Sequence, residues 1–385
     1  MFWLGFFMNS NNKILHIMIG FVLILISGIA IVLFFRKLPI ETTTLAIDWK
    51  TIYQSLHNGK VSYGNNQKTI GGFYTPPWGI YFLIPFILFP FKESWGIYSF
   101  ISLIILIISV PHQKNKKLNV LWILMLITSF PAMRNLADGN LECLVIAGIL
   151  LSQYALHAKK PFLLNIATLL TTIKFQETWL YFIYLIIFII FNLNRNDKIY
   201  YFLSLFFLVT ISMLLWGNEW LFSLFNINTH NWTIVLTAEM GRGSLIDISL
   251  LSSFSRLKIS MSLGWILWII IFCLTFVLTI KYFKTSKQDL SMNITLLIAA
   301  SILLSPYASG NSYLTLFAIG IFPILLRFRY LGLILILSAY IPYIIAHDIL
   351  YFYQSYFTLL QVLIFWAISA MGIYKDSIKP YHKIV

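Results

Sequence analysis

Long apolar runs broken by short polar stretches set the rhythm of this chain. Runs near 14–35, 96–111, 119–133, 141–156, 161–173, 178–193, 199–216, 263–280, 290–304, 313–326, 330–346 and 349–374 each predict a helix. Several fall short of the roughly 20 residues that cross a hydrocarbon core, so their ends are read to within a few residues. Basic clusters separate alternate pairs: Lys114, Lys116 and Lys117; Lys159 and Lys160; Arg195 and Lys198; Lys281, Lys284 and Lys287; Arg327 and Arg329; Lys375, Lys379 and Lys383. Short loops rich in Lys and Arg stay on the cytoplasmic side during insertion. The intervening loops 134–140, 174–177, 217–262, 305–312 and 347–348 hold Asp138, Glu177, Glu219, Glu239, Asp247 and Asp348, with Glu142 close by. Acids and long loops therefore gather on the opposite, outer face.

The run 73–91, "FYTPPWGIYFLIPFILFPF", is apolar enough to span, but counting it would put the N-terminus outside and loop 36–75 in the cytoplasm. Pro76, Pro77, Pro85 and Pro90 also interrupt helical hydrogen bonding. It is read as a helix dipping into or lying along the outer interface and returning to the same side at Lys92 and Glu93. This gives about twelve transmembrane helices with both ends inside; a thirteen-span arrangement with an outer N-terminus is the alternative. No small-residue cleavage site follows 14–35, so that segment reads as a retained anchor.

Composition agrees with this pattern. Of 385 residues, 59% are hydrophobic and 10% charged, with a mean hydropathy of +0.83. That excludes a soluble globule, a disordered chain and a disulfide scaffold. The expected fold class is an all-α polytopic membrane protein, one integral domain over 1–385, with a first outer loop at 36–94 and a large one at 217–262. The net charge of +14 would suggest nucleic acid in a soluble protein, but here it follows from topology, and no nucleic-acid partner is expected. Cys143 and Cys273 sit far apart in apolar runs and read as buried hydrophobes. The His residues lack metal-ligand spacing, and nucleotide-binding loops and Ser/His/Asp arrangements are absent, so neither metal nor cofactor is expected.

The first outer loop is the most informative stretch. In "AIDWKTIYQSLHNGK", Trp49, Ile52, Tyr53 and Leu56 form an i, i+3, i+4, i+7 stripe, which predicts a short interfacial helix ended by Asn58-Gly59. Asp48 falls at its first turn, where a carboxylate suits free backbone N–H groups, so an N-cap and a catalytic carboxylate are both open readings.

An acid just outside the first span, a short amphipathic helix, Tyr63 and then Tyr74-Thr75-Pro76-Pro77 resemble the first outer loop of GT-C glycosyltransferases, most nearly the polyprenyl-phosphate-mannose-dependent glycosyltransferase family 87. "RNLADGNLE" (134–142) resembles that family's Arg-containing Gly-Gln-x-Asn segment, "IKFQE" (173–177) its Lys, and "LSPYASGNSY" (304–313) its Ser-Pro-x-Ser-Trp-x-His-His stretch. The chain departs from the pattern at Asn140 for Gln, Glu142 for Asn, a missing Pro after Lys174, and Asn311-Ser312 near the paired His.

The resemblance implies a GT-C-type bundle and an inverting transfer of a hexose, mannose in the family, from a polyprenyl-phosphate donor to a lipid- or glycan-linked acceptor. The reaction would take place on the outer face of a bacterial-type cytoplasmic membrane. Such chemistry needs a base for the acceptor hydroxyl and cations for the departing phosphate. Asp48 is the expected base. Arg134 and Lys174 are the expected phosphate ligands, with Arg256 and Lys258 as alternatives on a lid. Snorkelling, or ion pairs with Asp138 or Glu177, would equally explain Arg134 and Lys174. Tyr53, Tyr74 and Trp78 fit an interfacial aromatic belt as well as sugar contacts; Asn140, Glu142, His230 and Asn311 complete the expected substrate-binding set. The rival classes are a lipid-linked glycan flippase, which would carry polar groups near mid-span, and a glycan polymerase.

Overall fold

The computed structural model describes residues 13–39, 45–57, 61, 63, 73–223, 226, 247–285, 290–344 and 347–378. Among them the regular elements are all helices, joined by short turns, with an isolated bridge between Asp247 and Ser309. Apolar helix α1 (Lys13–Arg36) is followed by α2 (Ile47–His57), α3 (Pro77–Ile87), α4 (Phe91–Ser109), α5 (Lys116–Ile127) and α6 (Phe130–Asp138). Then come α7 (Glu142–Ala158), α8 (Pro161–Thr171), a 3-10 turn (Thr172–Lys174), α9 (Phe175–Asn192) and α10 (Arg195–Trp216). The last part contains α11 (Leu250–Arg256), α12 (Met261–Thr285), α13 (Leu290–Leu304), a 3-10 turn (Gly310–Ser312), α14 (Tyr313–Arg327), α15 (Arg329–Ser338), α16 (Ile341–Ile344) and α17 (His347–Ile378).

Two kinds of apolar helix divide the work. On α13 every residue from Met292 to Leu304 is buried, and α14 is nearly as enclosed, so these two form the centre. On α1, α10 and α12 large side chains such as Phe21, Leu214 and Phe276 stay exposed, which suits lipid and not water. Six helical stretches among the described residues are long and apolar enough to cross a bilayer, or seven if α5 and α6, bent by 53°, count as one. The chain is an α-helical membrane protein on this evidence. The count is smaller than the dozen expected because the searched part of α1 (Gly20–Arg36), α7, α13 and the α15–α16 stretch are shorter, and α8 and α9 are counted as one stretch.

One of the six, Pro161–Asn192, is a hairpin and not one long rod. Leu185, Ile189 and Leu193 at the end of α9 pack with Ala155, Leu156 and Leu164, beside the start of α8. The chain therefore reverses at Thr172–Lys174, where Thr178 Oγ1 donates to the Thr171 carbonyl at 2.7 Å. Lys174 and Glu177 lie at that bend, as the sequence pattern expects, although 174–177 is helical and not a loop. The stretch 134–140 differs in the same way. Pro131 opens α6 at a helix N-terminus, where its missing N–H costs nothing, and Gly139 closes it.

The segment 73–91 forms α3, which keeps both its ends at one end of the bundle. Trp78 Nε1 donates to Thr172 Oγ1 at 3.0 Å, and Tyr53 OH donates to the Phe89 carbonyl at 3.0 Å. Arg36 meets Glu93 at 3.4 Å and Lys92 Nζ reaches the Leu38 carbonyl at 3.2 Å, so α1 ends where α4 begins.

Candidate functional site

The site grows from the junction of α2 with the α6–α7 turn. The stripe on α2 faces the bundle, with Trp49, Ile52, Tyr53 and Leu56 all buried. The Trp49 ring stacks on Tyr98 at 4.4 Å, and its Nε1 donates to Ser94 Oγ at 3.1 Å. This docking fixes Asp48, one residue earlier. Ala46, just before the helix, has φ 57° and donates its N–H to the Ala137 carbonyl at 2.7 Å. A left-handed alanine is a strained backbone that its surroundings must hold in place.

Gly139 is required at the facing turn. Its φ is 68°, and a Cβ there would sit 2.5 Å from Trp49 Cβ. The turn brings Asn140 back over α2, where Asn140 Nδ2 donates to Asp48 Oδ2 at 2.6 Å and Tyr98 OH donates to the Asn140 carbonyl at 2.6 Å. From the 3-10 turn before α14, Asn311 Nδ2 reaches Asp48 Oδ2 and Asp138 Oδ2, each at 3.3 Å. Asp48 therefore bonds to side-chain amides and not to the N–H groups of its own first turn. Both amides use Oδ2, and Oδ1 has no bond among the described residues.

Arg134 Nε lies 3.4 Å from Asp138 Oδ2, and the rest of its guanidinium has no bond among the described residues. It also lines a small, shallow cleft together with Asn311. Behind Asp48 sits a buried ionic group. Lys174 Nζ donates to Glu142 Oε1 at 2.5 Å and lies 3.5 Å from Glu177 Oε1; Thr315 Oγ1 donates to Glu142 Oε2, and Ser312 Oγ to Glu177 Oε1, both at 2.7 Å. Burial raises the Asp48 carboxyl above its ordinary range; the Lys174 charge opposes this, and the neighbouring Asp138 adds to it.

The expected site residues divide accordingly. Asp48, Arg134, Asn140, Glu142, Lys174 and Asn311 come together. Lys174 sits between two carboxylates, so its charge is balanced inside the protein and its effect on Asp48 is through its field. Arg256 is likewise enclosed: Nη1 donates to Ser355 Oγ at 2.9 Å, Nη2 to Ser253 Oγ at 3.0 Å and to the Asp247 carbonyl, so it ties α11 to α17 instead of facing a cleft. Lys258 is exposed on the turn after α11, at φ 53°. Tyr53 packs on His57 and Phe91, Trp78 meets Trp220, and the Tyr74 carbonyl accepts from Trp220 Nε1 at 2.9 Å, all roles that build the outer shell of the bundle. His230 lies outside the described residues.

Sequence reasoning missed Ser312 and Thr315, whose signal was two hydroxyls on one face of an otherwise apolar run. The ion pairs left open in the sequence, Arg134 with Asp138 and Lys174 with Glu177, are both present, and Lys174 also takes Glu142. No group of three or more His, Cys, Asp and Glu among the described residues is placed to hold a metal. No family model matches the chain, and no curated protein or solved structure is significantly similar to it.

Proposed function

We propose that the chain is a GT-C-type glycosyltransferase that moves a hexose from a polyprenyl-phosphate donor to a lipid- or glycan-linked acceptor, with Asp48 as general base. The observation that carries this reading is the Asp48 carboxylate: half-buried, raised in pKa, clamped through one oxygen by Asn140 and Asn311, and close to an arginine with an unengaged fork. A carboxyl raised from its usual range near 4 is a better proton acceptor for a sugar hydroxyl.

In the proposed step the acceptor oxygen attacks the anomeric carbon and its proton passes to Asp48. The bond from that carbon to the phosphate oxygen breaks, and the lipid phosphate leaves with the electron pair. One displacement inverts the anomeric centre. The Nη groups of Arg134 suit the departing phosphate, since a guanidinium fork matches two phosphate oxygens. Lys174 serves as a fixed positive charge that keeps a partly buried carboxylate ionisable. The reading includes twelve membrane passes, with both termini cytoplasmic and Asp48 on the outer face of a cytoplasmic membrane, supported by basic clusters at one end and acids at the other.

The test is transfer from a labelled polyprenyl-phosphate hexose. Membranes carrying the wild-type chain should pass label to an acceptor, and Asp48→Asn should insert equally well yet slow transfer by roughly 10²–10⁴-fold. Undiminished transfer by Asp48→Asn would remove Asp48 as the base, and no transfer by the wild type would remove the reading itself.

A further inference from the structure

Behind Asp48 the bundle encloses two glutamates and one lysine, and the transfer step gives the glutamates no task. Glu142 opens α7, Glu177 lies in the first turn of α9, and both are fully buried. Lys174 Nζ sits 2.5 Å from Glu142 Oε1 and 3.5 Å from Glu177 Oε1. Other described titratable groups that face the pair are Asp48 from α2, Tyr98 from α4, Cys143 from α7 and Tyr307 from the segment before α14. None of these is a cation. Two ionised carboxylates against one ammonium would leave a net negative charge in the interior, and Asp48 adds to the same sign. Buried charge without compensation is strongly disfavoured.

The bonding pattern carries the same imbalance. Glu142 Oε1 accepts from Lys174, Glu142 Oε2 from Thr315 Oγ1 and Glu177 Oε1 from Ser312 Oγ, the last two at 2.7 Å. Glu177 Oε2 is buried and has no donor among the described residues. The Glu142 and Glu177 carboxyls also lie within hydrogen-bond reach of each other. Two ionised carboxylates only accept, so they cannot bond to one another. A single proton on the pair supplies the missing donor and cancels the excess charge, as in carboxyl dyads that titrate as a unit.

We propose that Glu142 and Glu177 form a proton-binding site, the pair sharing one exchangeable proton beside Lys174. The proton comes from water and returns to it, with no other bond made or broken. Its loss would set two like charges against each other and push apart the carboxyls that hold Ser312 and Thr315. Asn311, next to Ser312, would move with them and loosen its hold on Asp48. The proton site stands on the buried trio alone; its effect on transfer rests on the proposed transferase reading.

Infrared spectroscopy of the full chain in lipid nanodiscs tests the site without any substrate, because a protonated carboxyl has a C=O stretch that a carboxylate lacks. At neutral pH the wild type should show this band, shifted in heavy water, and Asp48→Asn and Asp247→Asn should retain it. Glu177→Gln, which keeps the shape of the protonated acid, should lose it. Glu142→Gln should lose it too, since the remaining Glu177 then faces Lys174 as a simple ion pair and ionises. The site is overturned if the wild type shows no such band at neutral pH, or if the band keeps its full intensity in either glutamine variant. Labelled-donor transfer on the same preparations reads the link to Asp48. Wild-type transfer should fall in alkali over the range where the band titrates, and Glu177→Gln should flatten that fall; an alkaline limb identical in the two would overturn the link. Transfer without the band sinks the proton site and leaves the transferase, whereas the band without transfer sinks the transferase and leaves the proton site.

Discussion

Asp48 and Asp247 both lie beside short helices between the apolar ones, and burial raises the pKa of both, yet their surroundings differ in kind. Asp247 is 2% exposed and is bonded by backbone: Ser249 N–H at 2.8 Å and Ala308 N–H at 3.0 Å donate to Oδ1, and Ser249 Oγ to Oδ2 at 3.2 Å. Arg256 then grips its main-chain carbonyl, so the aspartate closes a joint between α11 and the segment after α13. Asp48 is only half-buried, and both its donors are side-chain amides whose own carbonyl oxygens, Asn140 Oδ1 and Asn311 Oδ1, have no partner. A carboxylate saturated by main chain holds a fold together. One held through a single oxygen, near a strained Ala46, keeps a second oxygen with no bond among the described residues.

The sharpest way to break this contrast is through the charge behind Asp48. Lys174→Met leaves Glu142 and Glu177 facing each other without a cation, and breaking a buried ion pair costs about 3–5 kcal/mol. A large fall in thermal midpoint, or loss of the protein from membranes, is expected; near-normal stability would mean that Lys174 is not the internal counter-ion described here. Gly139→Ala is next. A left-handed alanine costs about 1–2 kcal/mol, and its Cβ would press on Trp49 at 2.5 Å. The measurable result should be a modest loss of stability with a disproportionate loss of transfer, because α2 must shift and carry Asp48 with it. Equal transfer per folded molecule would show that the placement of α2 is not critical. The smallest stability effect belongs to Arg134→Ala. Its pair with Asp138 is partly exposed, worth under about 1 kcal/mol, so the thermal midpoint should hardly move while the KM for the polyprenyl-phosphate donor rises. An unchanged KM would reject the phosphate role.

Much of this arrangement was legible in the sequence. The i, i+3, i+4, i+7 stripe around Trp49 gave the docking face of α2, whereas 134–140, read as a loop, is the end of a helix that Gly139 closes before Asn140. Basic clusters at alternate loops located the bend at 172–174 even though the helix runs through it without a coil residue. Local pairings such as Lys174 with Glu177 were within reach of the sequence, but long-range ones were not: that Lys174 also meets Glu142 depends on how α7, α9 and α14 converge, and "IKFQE" contains no trace of Ser312 or Thr315 more than a hundred residues away. Arg256 failed as a phosphate ligand for the same reason, since Ser355 and Ser253 claim its guanidinium in three dimensions.

The most direct test compares Asp48→Asn with Asp247→Asn in one preparation, reading thermal midpoint and transfer together across pH. A carboxyl with a raised folded pKa binds its proton more tightly when folded. Its contribution to stability is therefore greatest in acid and declines as pH rises from the ordinary value near 4 through the raised one. Asp48→Asn should remove that decline, leave the thermal midpoint at neutral pH equal or higher, and abolish the acid limb of transfer along with most of the rate. Asp247→Asn, which misplaces an acceptor for two backbone N–H groups, should lower the midpoint and cost transfer only in proportion to the protein unfolded. The opposite pattern, with Asp48→Asn unstable but active or Asp247→Asn stable but inactive, would contradict the assignment of chemistry to Asp48.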